Sequence, residues 1–531
     1  MQADQFLKEL LTVHKDPLGE QTLAQLSATG GGLAMAYDQL DPSSKETLLA
    51  VLKKAQENPD TFKKMIAASL HFYVSGDEGS AGVVDALFDD LSLPPAMVSD
   101  MMLAIVREQW VSGKQSDWLA KTFPQDRLFQ RYRAIVAQAQ KQVEERYGAF
   151  PLEIVEPKDD RAVIITQQML GLGHAPSRDT LEFAYHLGET YGKEVLILNT
   201  LQFSPNPLCP FMPPMKASHL PGKAGVTTLE YRGKTFILYE PSRPVFNEDM
   251  MLEALFTVQR FEPSMAICVG GSNLVGDLIA QSIPTFLYPT TAGVPIVTHM
   301  PFMTWKDLGP AEQQTVLERG LGDQYLLASH PGFEPPPSAG ELSRASLGLA
   351  DDRFVFAVVG TRLGVDVNEA FTGVLRAILQ SSDIAHILFL GNFEGFDAWL
   401  AANKDFEDRV TFGGFHSDIM GALSLADAYL NPDRIGGGSA VVYAMASGLP
   451  TLVLNRGDAA EAAKSLPPLE TYDQMVDQAK RLLTEPAFKE ERGKAAKTAA
   501  EQLTDRAPLV EKIMSCLKAV EDGTTEPLTL A

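Results

Sequence analysis

Residues 427–450 read DAYLNPDRIGGGSAVVYAMASGLP. A short apolar run gives way to a proline, three successive glycines and a serine, then to an alanine-rich segment closing on Gly448 and Pro450. That order predicts a strand, a tight loop and a helix, because glycine reaches backbone conformations closed to other residues and marks helix ends. Three glycines together carry a large entropic cost, more than one turn requires. Something therefore approaches the backbone closely at Gly436, Gly437 and Gly438, or the chain takes positive φ there. With Ser439, the loop opens a helix whose first N–H groups and positive dipole end suit a diphosphate. Neither a Gly-Lys-Ser/Thr P-loop ending nor a GxGxxG fingerprint is present in the stretch.

The surrounding sequence repeats the device. FVFAVVG (354–360), HILFLG (386–391), RVTFGGF (409–415) and PTLVLN (450–455) are short apolar runs, and NEAFTGVLRAILQ (368–380) between them has helical periodicity. Upstream, RAVIITQQM (161–169), VLILNT (195–200), TFILYE (235–240) and MAICVGG (265–271) alternate with DTLEFAYHLGETYG (179–192) and EDMMLEALFTVQRF (248–261). Strands alternating with helices of this length predict parallel sheets with crossover helices. The proline-rich PGFEPPPSAG (331–340) reads as a linker between two such units. Before them, DQFLKELLTVH, SSKETLLAVLKKAQ, PDTFKKMIAASLHFYV, GVVDALFDDL and PAMVSDMMLAIVREQW carry helical spacing, with Asp41 or Ser43 and Asp60 as caps. The fold class expected is α/β: an all-helical domain over 1–155, a Rossmann-like domain over 156–335, and a second one over 336–531 ending in helices. Ligands of such sheets bind at the carboxyl ends of the strands.

Composition bounds the function. A chain of 531 residues with 45% hydrophobic and 21% charged residues is folded, and its length calls for several domains. A formal net charge of −23 argues against an extended nucleic-acid or anionic-membrane face, while leaving room for a local basic cleft. Three scattered cysteines, Cys209, Cys268 and Cys516, give neither a disulfide framework nor a metal cluster. No signal-type apolar core stands at the N-terminus, and no uncharged run reaches the ~18–20 residues a membrane span needs. A cytoplasmic protein is the expectation.

The segment LADAYLNPDRIGGGSAVVYAMASGLPTLVL also resembles the donor-binding segment of glycosyltransferases of the two-domain GT-B type. It is most similar to the O-linked N-acetylglucosamine transferases and the bacterial adhesin N-glycosyltransferases. Leu430, Asn431, Gly437, Ser439, Gly448 and Pro450 carry the match, and Tyr443 stands where that family holds the donor ribose with an aspartate. Retaining GT-B enzymes carry two glutamates eight apart, where this chain has Ile435 and Tyr443, so the resemblance implies inversion. It covers about 350–455 and, as topology, 161–330. The adhesin-modifying enzymes also place a helical domain first.

What the resemblance implies for the site follows residue by residue. Arg362, Gly391, Asn392, His416, Ser417, Asn431, Gly436, Gly437, Gly438, Ser439 and Tyr443 are the expected donor contacts. His174, just after the first strand, is the candidate general base or acceptor-site group. Gly173, Ser177, Arg178, Gly271, Ser272 and Asn273 face the acceptor side, with His219, His299 and Asp277 as weaker candidates. A UDP-sugar donor, no other cofactor and no metal are expected, since no acidic DxD stands at a strand end. The acceptor expected is a protein side chain, docked by the helical domain, which also offers a surface for self-association. A glycan, lipid or small-molecule acceptor, a nucleotide-sugar epimerase, and a non-catalytic GT-B binding protein are the alternatives.

Overall fold

The computed structural model describes residues 2–14, 19–90, 93–111, 116–147, 154, 156–172, 174–202, 225–241, 246–336, 338, 340 and 342–524. The chain forms two compact units: residues 1–304, 308–327 and 512–531 in the first, 305–307 and 328–511 in the second.

The first unit begins with helices from Ala3–Leu11 to Gln125–Tyr147. Asp41 caps the helix Pro42–Ala55 by accepting from the Ser43 and Ser44 amides, and Asp60 does the same for Phe62 and Lys63 at Thr61–Ser75. One helix has no local signature: Glu20–Ala36 runs through Gly30, Gly31 and Gly32. Each glycine costs about 1 kcal/mol relative to alanine in a helix, yet Gly30 and Gly31 are buried and the helix packs on Thr61–Ser75. Close packing outweighs propensity there.

Eight strands follow: β1 Lys158–Thr166, β2 Glu194–Asn199, β3 Gly225–Tyr231, β4 Lys234–Glu240, β5 Pro263–Val269, β6 Thr285–Tyr288, β7 Phe302–Thr304 and β8 Tyr325–Ala328. β1 starts inside the polar EPKDDR, because its first three residues are exposed and carry no apolar signal. The sheet order is β3-β4-β2-β1-β5-β6-β7-β8, and β1 pairs in parallel with both β2 and β5. β3 and β4 are an antiparallel hairpin turned by Arg232 and Gly233, both at positive φ (48° and 74°), as a tight two-residue turn requires. The chain therefore leaves β1 in one direction toward β2 and β4, then returns for β5 on the other side. That reversal puts a crevice at the carboxyl ends of β1 and β5.

The helical region and this sheet share one apolar core, which includes Phe72, Tyr132, Val163, Leu198 and Leu278. Polar ties cross the same seam: the Tyr132 hydroxyl donates to Asp277 at 2.7 Å, and Gln202 donates to Ser99 Oγ at 2.7 Å. Arg319 pairs with Asp126 at 2.6 Å. Deleting residues 1–150 strips that cover, so the truncated chain is expected to be insoluble. A soluble truncation with a cooperative unfolding transition, followed by circular dichroism, would show the sheet to be independent.

The second unit holds β9 Phe354–Gly360, β10 Ala385–Gly391, β11 Val410–Gly414, β12 Ala428–Leu430 and β13 Thr451–Leu452. They are parallel, in the order β11-β10-β9-β12-β13. Its core is built on Phe356, Val358, Ile378, Phe389, Leu430 and Leu452. Here the reversal lies between β9 and β12. No described helix is long and apolar enough to cross a membrane.

Candidate functional site

The glycine loop follows β12, at the reversal point of the second sheet. Gly437 has φ +103° and begins the helix Gly438–Ala446 without any side-chain cap, leaving the first-turn amides without partners inside the helix. The group that approaches the glycines comes from the protein itself. A Cβ on Gly437 would lie 2.7 Å from Arg434 Nε, and one on Gly360, at the end of β9, 2.6 Å from Arg434 Nη1. Both glycines make room for one guanidinium. Gly438 has a different reason, since its Cβ would meet the Phe333 ring at 3.2 Å and Trp305 at 3.3 Å.

The Arg434 side chain folds back beneath the loop and is almost wholly buried. Its Nη2 donates to the Val359 carbonyl at 2.8 Å and to Asn431 Oδ1 at 2.7 Å. Its Nη1 donates to Asp366 Oδ2 at 3.1 Å. The other Asp366 oxygen lies 3.5 Å from Arg362 Nε. Two guanidiniums thus share one buried carboxylate, which concentrates positive charge beside a helix N-terminus. Burial pushes the Arg362 guanidinium below its ordinary value, Asp366 opposes that, and the Arg434 charge adds to it. Sequence reasoning misses Arg434 and Asp366. Arg434 stands in the quoted stretch, but nothing local tells that its side chain turns under the glycines.

The other expected donor residues are distributed around this cluster. Asn431 is buried and orients Arg434. Gly391, at φ +119°, ends β10 where a Cβ would collide with the Gly360 carbonyl, so close approach of two strands demands glycine there. Asn392 donates its amide to that carbonyl at 2.9 Å. The His416 ring bonds the Gly413 carbonyl at 2.8 Å, and Ser417 is exposed. Gly436 is buried, and Ser439 sits half-buried in the first helical turn. Tyr443 is buried, with its hydroxyl donating to the Glu334 carbonyl at 3.3 Å, which ties segment 331–336 to this helix.

In the first unit, the loops after β1 and β5 meet in the same manner. Gln167 is buried and donates to the Ser272 carbonyl, and a Cβ on Gly270 (φ +137°) would lie 2.8 Å from Gln167 Oε1. Asn273 caps the short helix Leu274–Ile279 by accepting from the Gly276 amide at 3.0 Å. Ser272 is buried with it, while Gly271 is exposed. His174 precedes the helix Ala175–Glu189, and burial, aided by the Arg178 charge, pushes its imidazole down to about 4. Ser177 Oγ accepts from the Leu170 amide and lies 2.9 Å from His174 Nδ1. The Gln168 side-chain amide nitrogen, a donor, lies 3.4 Å from His174 Nε2, so the ring, neutral at pH 7, presents Nε2 as an acceptor and its Nδ1–H to Ser177 Oγ. Arg178 holds the Leu172 carbonyl at 2.7 Å.

Asp277 is fully buried and accepts from Tyr132, the Thr298 amide and hydroxyl, and the His299 amide. Burial raises its carboxyl and the bonds it accepts oppose that rise. It ties the loop of Thr298 and His299 to the helix Leu274–Ile279, and His299 itself is exposed. Gly173 and His219 lie outside the described residues.

No protein-family model and no curated protein matches this chain. Among solved structures, a glycosyltransferase of Rickettsia africae superposes with TM-score 0.48 and 11% identity, covering 68% of this chain and 99% of its own. A variant of the O-GlcNAc transferase of Thermobaculum terrenum gives TM-score 0.47 and 14% identity over 99% of both chains. Anabaena HepE in complex with UDP gives 0.46 and 14%, covering 68% of this chain and 100% of its own. Likeness at that level assigns no activity, so the functional reading rests on the site.

Proposed function

We propose that this chain is a GT-B type glycosyltransferase that moves a sugar from a nucleotide-diphosphate donor, a UDP-sugar first among candidates, to a protein side chain. One observation carries the reading: Arg362 and Arg434 share the carboxylate of Asp366 at the reversal point of the second sheet, beside an uncapped helix N-terminus. Positive charge concentrated at low dielectric suits a diphosphate and stabilises it as a leaving group without a divalent ion. Arg362 and the first-turn amides from Gly438 and Ser439 touch the phosphates in this reading. Arg434 holds the loop and Asp366 in place. Inversion at the anomeric carbon then follows from an acceptor attacking opposite the diphosphate. In this reading His174, Ser177 and Arg178 serve the acceptor side, with His174 as the general base or a group that positions the acceptor.

The test is a thermal-shift screen of the full chain against UDP-, GDP- and ADP-sugars with excess EDTA throughout. A true donor at one hundred times its Kd adds about 2.7 kcal/mol to stability. Stabilisation seen in EDTA, followed by sugar transfer in the same buffer, is the expected result. Transfer that disappears in EDTA and returns with Mn²⁺ would overturn the metal-free mechanism, and no stabilisation by any nucleotide would overturn the reading altogether.

A further inference from the structure

The proline-rich stretch 331–340 reads as a linker, but its first residues are fastened to the second unit. The buried Arg506 side chain donates from Nε to the Gly332 carbonyl at 2.9 Å, and the Phe333 amide donates to the Leu503 carbonyl at 2.7 Å. Gly332, at φ +64°, leaves little room for a side chain, since a Cβ there would lie 3.0 Å from Arg506 Cα. Pro335 and Pro336 follow Glu334. A residue before proline favours extended backbone, which fixes where the Glu334 carbonyl points.

This strap rests on the helix Gly438–Ala446. Phe333 and Trp305, both buried and both part of the second unit, meet edge to face with ring centres 5.3 Å apart. The same two rings lie against Gly438, where a Cβ would be 3.2 Å from Phe333 and 3.3 Å from Trp305. Further along the helix, the Tyr443 hydroxyl donates to the Glu334 carbonyl at 3.3 Å. The helix has no side-chain cap to fix its first turn, and three glycines make the backbone before it pliable. Its start is held instead by Arg434 against Gly437 and by the two rings against Gly438.

Resting on the nucleotide-diphosphate reading above, we infer that Phe333, Tyr443 and Arg506 are positioning residues for the donor diphosphate. The strap 332–334 clamps the helix so that its first-turn amides keep their aim, and Arg506 fastens the strap. Tyr443 is the latch of this clamp and not a ligand of the ribose, because its hydroxyl proton goes to a backbone carbonyl of the strap.

Calorimetric titration of the full chain with UDP and with inorganic pyrophosphate, which lacks a ribose, tests this. Tyr443→Phe removes one hydrogen bond and should weaken both ligands in parallel, by roughly three- to tenfold. Phe333→Ala should weaken both by roughly tenfold, and Phe333→Leu should recover most of that. Ile378→Val, a small cavity in the core of the same unit, should leave both affinities unchanged. UDP weakened by Tyr443→Phe with pyrophosphate unmoved would identify Tyr443 as a ribose ligand and overturn the latch. Affinities indifferent to Tyr443→Phe, or lowered equally by Ile378→Val, would overturn the clamp while the diphosphate site stands. Should Phe333→Ala not fold, the Tyr443→Phe titration decides alone. If the wild-type chain binds neither ligand, the donor reading itself fails, and this inference with it.

Discussion

Replacing Arg434 with methionine is expected to lower the stability of the second unit by about 3–5 kcal/mol, the usual cost of removing one partner from a buried ion pair. The side chain is almost wholly buried and links the ends of β9 and β12 through Val359, Asn431 and Asp366. Its loss leaves the Asp366 carboxylate with Arg362 at 3.5 Å and empties the space that Gly360 and Gly437 leave open. Arg434→Lys should recover part of the stability, because an ammonium keeps the charge, but not the fork that reaches three acceptors at once. Nucleotide binding should fall in both variants, since the loop over the guanidinium loses its support. Urea unfolding of the two variants beside wild type measures the effect. A loss under about 1 kcal/mol for Arg434→Met, the scale of an exposed pair, would show that the cluster adds little to the fold.

Acid should destabilise the protein before its carboxylates titrate. His386 and His330 of the second unit and His174 of the first are each pushed down to about 4, in every case mainly by burial. Positive neighbours add to the shift: Arg353 and Arg409 for His386, Lys464 and Arg506 for His330. An unfolded histidine takes up its proton near 6.5, whereas these wait until about 4. Between those values the unfolded chain binds more protons, so this contribution is full above about pH 6.5 and falls as pH drops toward 4. For His386, only 6% exposed, the linkage amounts to about 3 kcal/mol at the acid end. Chemical unfolding at about pH 7 and about pH 4.5 should show the loss, and His386→Gln should remove part of it. Equal stability at the two values would mean these rings are open to water in solution.

Much of this architecture is legible in the sequence, for local reasons. Short apolar runs, helical periodicity and the caps Asp41 and Asp60 act over a few residues, and the structure places strands and helices where they point. The glycine triplet at 436–438 likewise announces a strand–loop–helix turn. The same triplet at 30–32 continues a helix, because what decides it is a packed neighbour far along the chain. Strand order is non-local too: that β1 and β5, and β9 and β12, lie side by side is set by pairing across tens of residues. The loops of His174 and Asn273 come together for that reason, as do those of Arg362 and Gly437. Least legible is the answer to the question the glycines pose. Their composition predicts that something comes close; that it is the guanidinium of Arg434, three residues before Gly437, follows only when Asp366 and Val359 are folded into place to receive it.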